Sequence, residues 1–500
     1  MLPAALSLKI ARRPRAHKHV CSTRAPSCPL LHTRTRENKC EEPDETCFRG
    51  DGRFFIPALD CNAVNCDAGE LELRLFPQPG LVRLNIVRAL QHRNFALFTA
   101  GQACALIGYW MQSIAQSWLM YRMTGSATLL GVLGFAGSVP ILLLAPLAGL
   151  WSDRANLHRT MFATQVLEML QAVTLAALAI SGWIAPWHII TLSMLMGVLV
   201  AIELPVRHAY LLELVAGKED LPNAVAVTSL VGNTGRLIGP ALAGIVIAAY
   251  GEPACFAINA ITYIAVLVSF MMIRVQASAR PATHTPVLQG LREGFRYAWH
   301  SVPIRRLLSV LAVVSLLATP YMTLMPVLVR EVYGGGANVM GFLVGAAGFG
   351  AVAGTLFLAQ RPNVRGLVRV IACASVAAGS ALALLSWTAG MALALPLLAI
   401  VGFGILVTSV SVNMILQTIV DDDKRGRVMS LYTVAFLGMS PFGAIAAGAI
   451  ADRIGVDLTL TAGGVCCALT GLYLAYKRGE IRQHILPIYA KLGIATRDGL

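Results

Sequence analysis

The sequence has few charged residues for its length. Only 13% of its 500 residues are charged, whereas a typical soluble domain carries about 25%. Hydrophobic residues make up 56% of the chain. With so little charge, most of the chain is expected to face lipid or other apolar helices. A Gly-x-x-x-x-Gly-Lys phosphate-binding loop is also missing, so ATP binding is not expected.

Catalytic and metal-binding patterns are missing as well. The ten histidines are scattered, and no Gly-x-Ser-x-Gly element accompanies them, so an enzyme is not expected. Eleven cysteines are present, and six of them lie near the N-terminus. These six are Cys21, Cys28, Cys40, Cys47, Cys61 and Cys66. Their spacings differ from those of paired zinc ligands, so neither a metal nor another cofactor is expected.

Twelve apolar runs, each long enough to cross a bilayer, occupy the chain from about residue 95 to residue 476. A polar stretch over 274–305 divides them six and six, which predicts an all-α membrane protein with two six-helix bundles. The fourth run is expected to end near residue 206. The predicted segments are an N-terminal tail 1–92, a bundle 93–275, a cytoplasmic linker 276–304, a second bundle 305–476 and a cytoplasmic tail 477–500.

Basic residues are concentrated in alternate loops. If the first helix starts in the cytoplasm, the loops on the opposite side carry only Arg122, Arg330 and Arg453. This positive-inside bias predicts a multi-pass protein of the bacterial inner membrane with both termini in the cytoplasm. The bias also accounts for the formal net charge of +14, so no nucleic-acid partner is expected.

The N-terminal tail differs in composition from the rest of the chain. Its first 36 residues lack Asp and Glu and are rich in Arg, His and Pro, as in a transit peptide. An apolar signal run is missing. A disordered extension, or a start site assigned too far upstream, is the simpler interpretation, and we assign no chemistry to 1–92.

A charged turn joins the second and third apolar runs. Asp153 and Arg154 follow Gly149, and Arg159 comes at the start of the next run. Charged side chains are costly near lipid and often serve gating. The turn is therefore predicted to act as a cytoplasmic latch that forms in one state and breaks in another. A turn that only fixes the topology is the alternative.

Four charged residues within the predicted helices are candidates for proton coupling. Glu168 lies about eight residues into the third run, where it is expected to be desolvated. Glu203 and Arg207 come at the end of the fourth run and form a competing site. Arg236 lies midway along the fifth run and is expected to have an acid partner or to bind an anionic substrate. A glutamate that snorkels to the membrane surface and an internal ion pair are the alternatives.

Polar side chains on the first and tenth runs are candidates for lining a substrate cavity. They are Gln102, Tyr109, Gln112 and Gln116 on the first run and Asn413 and Gln417 on the tenth. Amides and aromatic rings suit a substrate of mixed aromatic and polar character. Hydrogen bonds between helices, which membrane proteins form at modest gain, are the alternative.

The fifth run carries a further motif, formed by Gly235, Gly239, Pro240 and Gly244. The charged turn resembles the corresponding loop of the major facilitator superfamily, and the motif on the fifth run resembles that superfamily's antiporter motif. The segments 93–95, 121–127, 205–209 and 424–430 carry a narrower resemblance. Within that superfamily the chain is similar to the bacterial branch of enterobactin-exporter-like transmembrane secretion effectors. The resemblance covers about residues 90–475.

The resemblance implies the major facilitator fold, with a central cavity lined by helices one, four, seven and ten, and a monomer. Since the antiporter motif is associated with exporters, it implies proton-driven export of small organic molecules, such as siderophores or drugs, across the lipid bilayer. An uptake symporter and a non-transporting scaffold or sensor are the alternatives. The fourth run lacks the embedded arginine of many proton antiporters, which leaves the proton-coupling residue open.

Overall fold

The computed structural model describes residues 88–152, 155–215, 220–274, 295–361, 363–388 and 390–491, and these are helices joined by turns, without strands. The first six long helices are α1 Arg93–Thr124, α2 Ala127–Ser152, α3 Leu157–Ile180, α4 Pro186–Leu214, α5 Leu221–Tyr250 and α6 Glu252–Met272. The later ones are α7 Val302–Glu331, α8 Ala337–Ala359, α9 Leu367–Leu385, α10 Met391–Ile419, α11 Lys424–Ile454, α12 Val456–Tyr476 and α13 Arg478–Lys491. A short helix covers 295–300, and the predicted tail 1–92 lies almost wholly outside the described residues.

Eleven helices within the described ranges, α2 to α12, are long and apolar enough to cross a membrane. The remaining long helix of the first bundle, α1, has 32 residues, more than the ~20 that a bilayer requires. Buried polar side chains such as Gln102 and Gln112 lower its hydropathy. Because α1 packs against α5 and α6, it belongs to the same bundle as the spans. The architecture agrees with the predicted all-α membrane protein.

Each half of the chain forms its own set of helix contacts. In the N-terminal half α1 packs on α5 and α6, α2 on α4, and α3 on α4 and α6. Phe98, Tyr210 and Phe270 join α1, α4 and α6 through ring contacts of 5.9–6.0 Å. In the C-terminal half α8 packs on α10, and α9 packs on α10 and α12.

Two helix pairs form the main contacts between the halves, α2 with α11 and α5 with α8. Small residues allow the close approach. A Cβ atom on Gly348 of α8 would lie 2.9 Å from the Arg236 carbonyl oxygen of α5, closer than packed carbon and oxygen atoms tolerate. Both α7 and α11 contain a π turn, and Ser315 in the first turn donates a hydrogen bond to the Phe436 carbonyl in the second.

The fourth helix contradicts the prediction that it ends near residue 206, because α4 continues to Leu214. The sequence-based boundary rested on charged residues and on Pro205, which lies inside the helix. An ion pair between Glu203 and Arg207 spans one turn around the proline, with 2.7 Å between Oε1 and Nη2. Both side chains therefore belong to the interior of the helix rather than to its end.

Candidate functional site

Two buried carboxylates meet in the N-terminal half, one on α3 and one on α4. Glu168 is 2% exposed and Glu203 is 3% exposed. They are close enough to interact electrostatically with each other and with Arg207. Arg207 donates to Oε1 of Glu203 from Nη2 at 2.7 Å and from Nε at 3.1 Å. Glu168, Glu203 and Arg207 thus form one cluster, which we call the acid cluster. The sequence predicts them as two competing sites.

The acid cluster is incompletely neutralised. Glu168 Oε2 accepts a 3.0 Å hydrogen bond from Gln165 Nε2, but its Oε1 has no hydrogen-bond partner in the part of the chain that is described. Burying a charged group without full pairing is costly. The two carboxylates of Glu168 and Glu203 face one guanidinium, that of Arg207, so one added proton would balance the charges.

A cavity of about 170 Å³ lies beside the acid cluster, between α1, α2 and α4, with Thr323 of α7 contributing from the other half. Three of the predicted cavity residues, Tyr109, Gln112 and Gln116, line it. Tyr109 also interacts electrostatically with both carboxylates of the acid cluster. This tyrosine therefore connects the cavity to the charged groups behind it. Pockets for drug-sized ligands have volumes of about 300–1,000 Å³. The cavity in this state is smaller and therefore admits only part of such a molecule.

The amides on α1 differ in their surroundings. Gln112 is held between helices, because it donates to Gln171 Oε1 at 3.0 Å and accepts from Asn259 Nδ2 at 2.8 Å. Gln116 lines the cavity, and its buried Nε2 has no hydrogen-bond partner among the described residues. Gln102 is buried outside this cavity and also has an unpartnered Nε2 within the described ranges. Of the three, Gln116 is the amide that is free to bind a ligand in the cavity.

Arg236 lies on α5 where the two halves meet. Its guanidinium is 5.5 Å from the centre of the Trp110 ring, and its Nη2 is 3.7 Å from the Met322 sulfur of α7. No carboxylate in the described part of the chain lies within ion-pair distance of it. Of the two expectations for Arg236, an acid partner is absent from the described residues, and binding of an anionic substrate stays a prediction.

The glycines of the antiporter motif lie at two different contacts. Gly235 and Gly239 face α1, the second of them directly against Trp110. Gly244 faces α8, and a Cβ atom there would lie 2.8 Å from the Ala337 carbonyl oxygen. Pro240, between them, presents its carbonyl group to α8. The glycines of the motif thus allow α5 to pack closely against α1 and against α8 of the C-terminal half.

The remaining predicted site residues are not brought into the cavity. Gln417 Nε2 donates to Asn413 Oδ1 at 2.6 Å, so these α10 amides pair with each other. Asp153 and Arg154 lie outside the described residues, so the latch stays a prediction. Gly149 lies in the last turn of α2, and the exposed Arg159 lies in the first turn of α3. The start of α3 is capped by Asn156, whose Oδ1 accepts from the Arg159 backbone nitrogen at 3.0 Å.

A contact between the halves at the face that carries the α1–α2 turn was not foreseen from the sequence. Asp452, at the end of α11, accepts hydrogen bonds from the backbone nitrogens of Ala127 and Thr128 at 2.7 and 2.8 Å. At the same face the Tyr121 hydroxyl donates to Glu331 Oε1 at 2.6 Å. We call these two contacts the α1–α2 gate. One signal was available, because Gly448, Asp452 and Arg453 repeat the spacing of the charged turn after α2.

The paired halves, the membrane-spanning helices and the polar cavity, which is lined mainly by the N-terminal half, are features of a membrane transporter of the major facilitator fold. A family model described as "Transmembrane secretion effector" matches residues 87–483, and the chain belongs to this family of the major facilitator superfamily. The family consists of membrane transporters rather than enzymes, so a small-molecule substrate and a multi-pass membrane location follow from membership.

Two relatives illustrate the range of the family. The chain is 27% identical over 385 residues to the staphyloferrin A transporter of Staphylococcus aureus (strain NCTC 8325 / PS 47), covering 74% of this chain and 92% of that protein. It is 26% identical over 393 residues to the multidrug efflux pump Tap of Mycolicibacterium fortuitum, covering 76% and 94% respectively.

Solved structures of other transporters share the fold. The POT family transporter PepTSo matches with a TM-score of 0.63 at 11% identity, covering 78% of this chain and 99% of that one. The nucleoside transporter NupG matches with a TM-score of 0.59 at 12% identity, covering 79% and 99%. At these identities the likeness concerns the fold alone.

Proposed function

We propose that the protein is a proton-driven exporter of small organic molecules that works by alternating access as a monomer in the bacterial inner membrane, with both termini cytoplasmic. Relatives named as a siderophore transporter and a drug efflux pump support the substrate range. The positive-inside charge bias supports the orientation.

The observation that carries the proposal is the acid cluster and its link to the cavity. Glu168 and Glu203 share one guanidinium partner, and Tyr109 lines the cavity and interacts electrostatically with the cluster. A proton on this carboxylate pair neutralises the cluster, and its loss leaves an excess negative charge in an apolar environment. In this proposal substrate binding in the cavity and proton binding behind it exclude each other, as antiport requires.

The coupling of proton and substrate movement proceeds in two steps of one transport cycle. When the cavity faces the cytoplasm, a substrate enters beside Tyr109, and the proton leaves Glu168 or Glu203 toward the same side. When the cavity faces outward, the substrate leaves and a proton returns to the cluster, which removes the excess charge. The proton gradient thus drives the substrate outward because each return of the empty carrier requires a protonated cluster.

Alternating access requires a switch at both faces. The α1–α2 gate, formed by Asp452 with the start of α2 and by Tyr121 with Glu331, holds the halves together on the side assigned as external. The described arrangement is closed there. Its opening must be matched by closure at the opposite face, where the turn with Asp153 and Arg154 is proposed as the latch.

Arg236 supports an anionic substrate or one with a catecholate group. Its guanidinium has no carboxylate partner within the described ranges and lies against the Trp110 ring. A guanidinium forms forked hydrogen bonds to planar oxygen pairs, and an indole stacks on aromatic rings. The two side chains together suit a flat, oxygen-rich substrate.

Transport in everted membrane vesicles tests this function. With an acidic lumen, a pH-sensitive dye is followed while catecholates, siderophores and hydrophobic drugs are added in turn. The proposal predicts that a transported compound enters the lumen and dissipates the gradient. It also predicts that Glu168→Gln and Glu203→Gln abolish the response, whereas Glu213→Gln, a control on α4 outside the cluster, retains it.

Other outcomes would identify the competing functions. A compound that leaves preloaded vesicles together with protons would show an uptake symporter. A folded protein that moves none of the compounds, yet retains a binding partner, would show a scaffold or sensor. Equal responses of the wild type and both cluster variants would show that protons are not carried by Glu168 and Glu203.

A further inference from the structure

A second cavity lies outside the transport site, at the face that carries the α2–α3 loop. It has a volume of about 350 Å³ and lies between the loop before α9 and the C-terminal helix α13. Four arginines line it, two from each segment: Arg365, Arg369, Arg478 and Arg482. We call it the arginine pocket. Neither its basic residues nor α13 has a role in the transport cycle described above.

The pocket combines positive charge with an apolar floor. Its lining includes Leu367, Ile485 and Leu486. Leu367 is 0% exposed and Ile485 is 3% exposed, so the floor is part of the packed protein. The four arginines are exposed, and none has a carboxylate within ion-pair distance among the described residues. A ligand with both an anionic group and an apolar portion fits this arrangement.

Two further groups favour an anion. The N-terminus of α9 lies at the pocket, where Gly366 is the N-cap residue. Gly366 has a φ of +74° and provides no side-chain cap. The positive end of the helix dipole therefore points at the site. Tyr489 also lines the pocket, and burial raises the pKa of its hydroxyl to about 12. The phenol therefore stays protonated at physiological pH and is able to donate a hydrogen bond.

The position of the pocket identifies the source of the anion. The membrane-spanning segment Leu367–Leu385 begins at the pocket, and the span Val456–Tyr476 ends two residues before Arg478. The arginines therefore lie at the depth of the lipid headgroups, with the apolar floor directed along the ends of the spans. A soluble anion would leave the partly exposed Val364, Val368 and Leu486 of the lining in water, whereas a phospholipid covers them with its acyl chains.

The C-terminal helix is fixed in place to form one wall of the pocket. Ile481, Ile485 and Tyr489 form a buried stripe at helical spacing. Arg306 of α7 donates to Glu480 Oε1 at 2.7 Å and anchors the first turn of the helix. The pocket is thus built from two separate segments of the C-terminal half, and a third element, α7, anchors one of them.

We propose that the arginine pocket binds the headgroup of an anionic phospholipid, with the phosphate between the arginines of the α9 loop and those of α13. The lipid joins α13 to the loop before α9. The site is independent of the transport cavity and of the proton cycle, so failure of one proposal leaves the other standing.

Native mass spectrometry of the full-length protein in detergent tests the proposal through the affinity of the first bound lipid. Phosphatidylglycerol, phosphatidylcholine and inorganic phosphate serve as probes. Two double variants remove the charges from either side of the pocket, Arg365→Gln with Arg369→Gln and Arg478→Gln with Arg482→Gln. The control is Arg296→Gln with Arg453→Gln, which removes two exposed arginines elsewhere.

The wild type is expected to bind phosphatidylglycerol more tightly than phosphatidylcholine. Each pocket variant is expected to bind phosphatidylglycerol about 30-fold more weakly, while the control keeps the wild-type affinity. Because each side of the pocket is tested separately, misfolding of one variant still leaves a result. Unchanged affinity in both pocket variants, an equal loss in the control, or displacement of the lipid by inorganic phosphate would overturn the proposal.

Discussion

The Asp452 carboxylate of the C-terminal half accepts a 2.7 Å hydrogen bond from the Ala127 backbone nitrogen of the N-terminal half. The acceptor thus caps the first turn of α2, where unpaired N–H groups and the helix dipole favour a negative charge. The spacing of Gly448, Asp452 and Arg453 matches that of the turn after α2. Asp153 in the turn after α2 is proposed as the counterpart of Asp452 at the opposite face.

Removal of this cap is expected to favour opening at the α1–α2 face. Loss of an N-cap acceptor costs about 1 kcal/mol, so Asp452→Ala should lower the ratio of closed to open molecules roughly fivefold. Spin labels at Met123 and Ile454, which are exposed in opposite halves, report the opening as a longer distance in a cysteine-depleted background. An unchanged distance distribution would show that the cap does not hold the gate.

Tyr121 and Glu331 are expected to stabilise the closed state of the same gate through their shared hydrogen bond. Tyr121→Phe and Glu331→Ala should each increase the open fraction, because each removes one partner of the same 2.6 Å hydrogen bond. Their combination should add little to either single change, since the bond is already lost. The same pair of spin labels measures all three variants, and additive effects would contradict a direct coupling.

Close packing of α5 on α8 is expected to be required for closure. Gly244→Ala places a Cβ atom 2.8 Å from the Ala337 carbonyl oxygen, so the helices must move apart and the closed state should be depleted. Gly232→Ala on the same helix is the matched control, because nothing lies within 4 Å of that Cβ position. Transport rates that fall equally in the two variants would point to helix propensity rather than packing.

The guanidinium of Arg236 is expected to determine the preference for anionic substrates. Arg236→Lys keeps the charge but loses the forked donors, so the KM for catecholate or carboxylate substrates should rise roughly tenfold. Substrates without an anionic group should change much less. Transport assays with matched charged and neutral compounds measure the difference, and equal effects on both classes would assign Arg236 a structural role.

Docking of α13 is expected to depend on pH. A hydrogen bond from Arg306 lowers the pKa of Glu480 below its ordinary value of 4.5. The pairing therefore contributes above that value and is lost as the pH falls through the lower, folded-state pKa. The protection factors of residues 478–491, which correct exchange rates for their intrinsic pH dependence, should fall at low pH in the wild type, whereas Glu480→Gln should show the lower protection throughout. Identical pH profiles would contradict the anchoring role.

The sequence predicts the spans well but not how their faces are oriented toward one another. Apolar length identifies the helices and their division into halves, because lipid requires long apolar segments. The proximity of Glu168 to Glu203 depends on the rotation of α3 against α4, which hydropathy does not specify. For the same reason, Gln112 could not be assigned in advance to interhelical bonds, or Asn413 to a partner on its own helix.

The C-terminal boundary of α4 illustrates a second limit of prediction from the sequence. Charged residues interrupt the apolar run, so the sequence places Glu203 and Arg207 at the end of a helix. In the structure they neutralise part of each other's charge across one turn, which lets the helix continue to Leu214. Burial of the pair within the protein, rather than exposure to lipid, makes this possible.

Proton release on substrate binding tests the central claim most directly. A compound found to be transported is added to purified protein in weakly buffered solution, and a pH indicator reports the protons released per molecule bound. The account predicts that the wild type releases up to about one proton, because the acid cluster needs one for neutrality. A variant with both Glu168→Gln and Glu203→Gln should bind the compound without release. Equal release from both proteins, or binding to the wild type without release, would contradict the account.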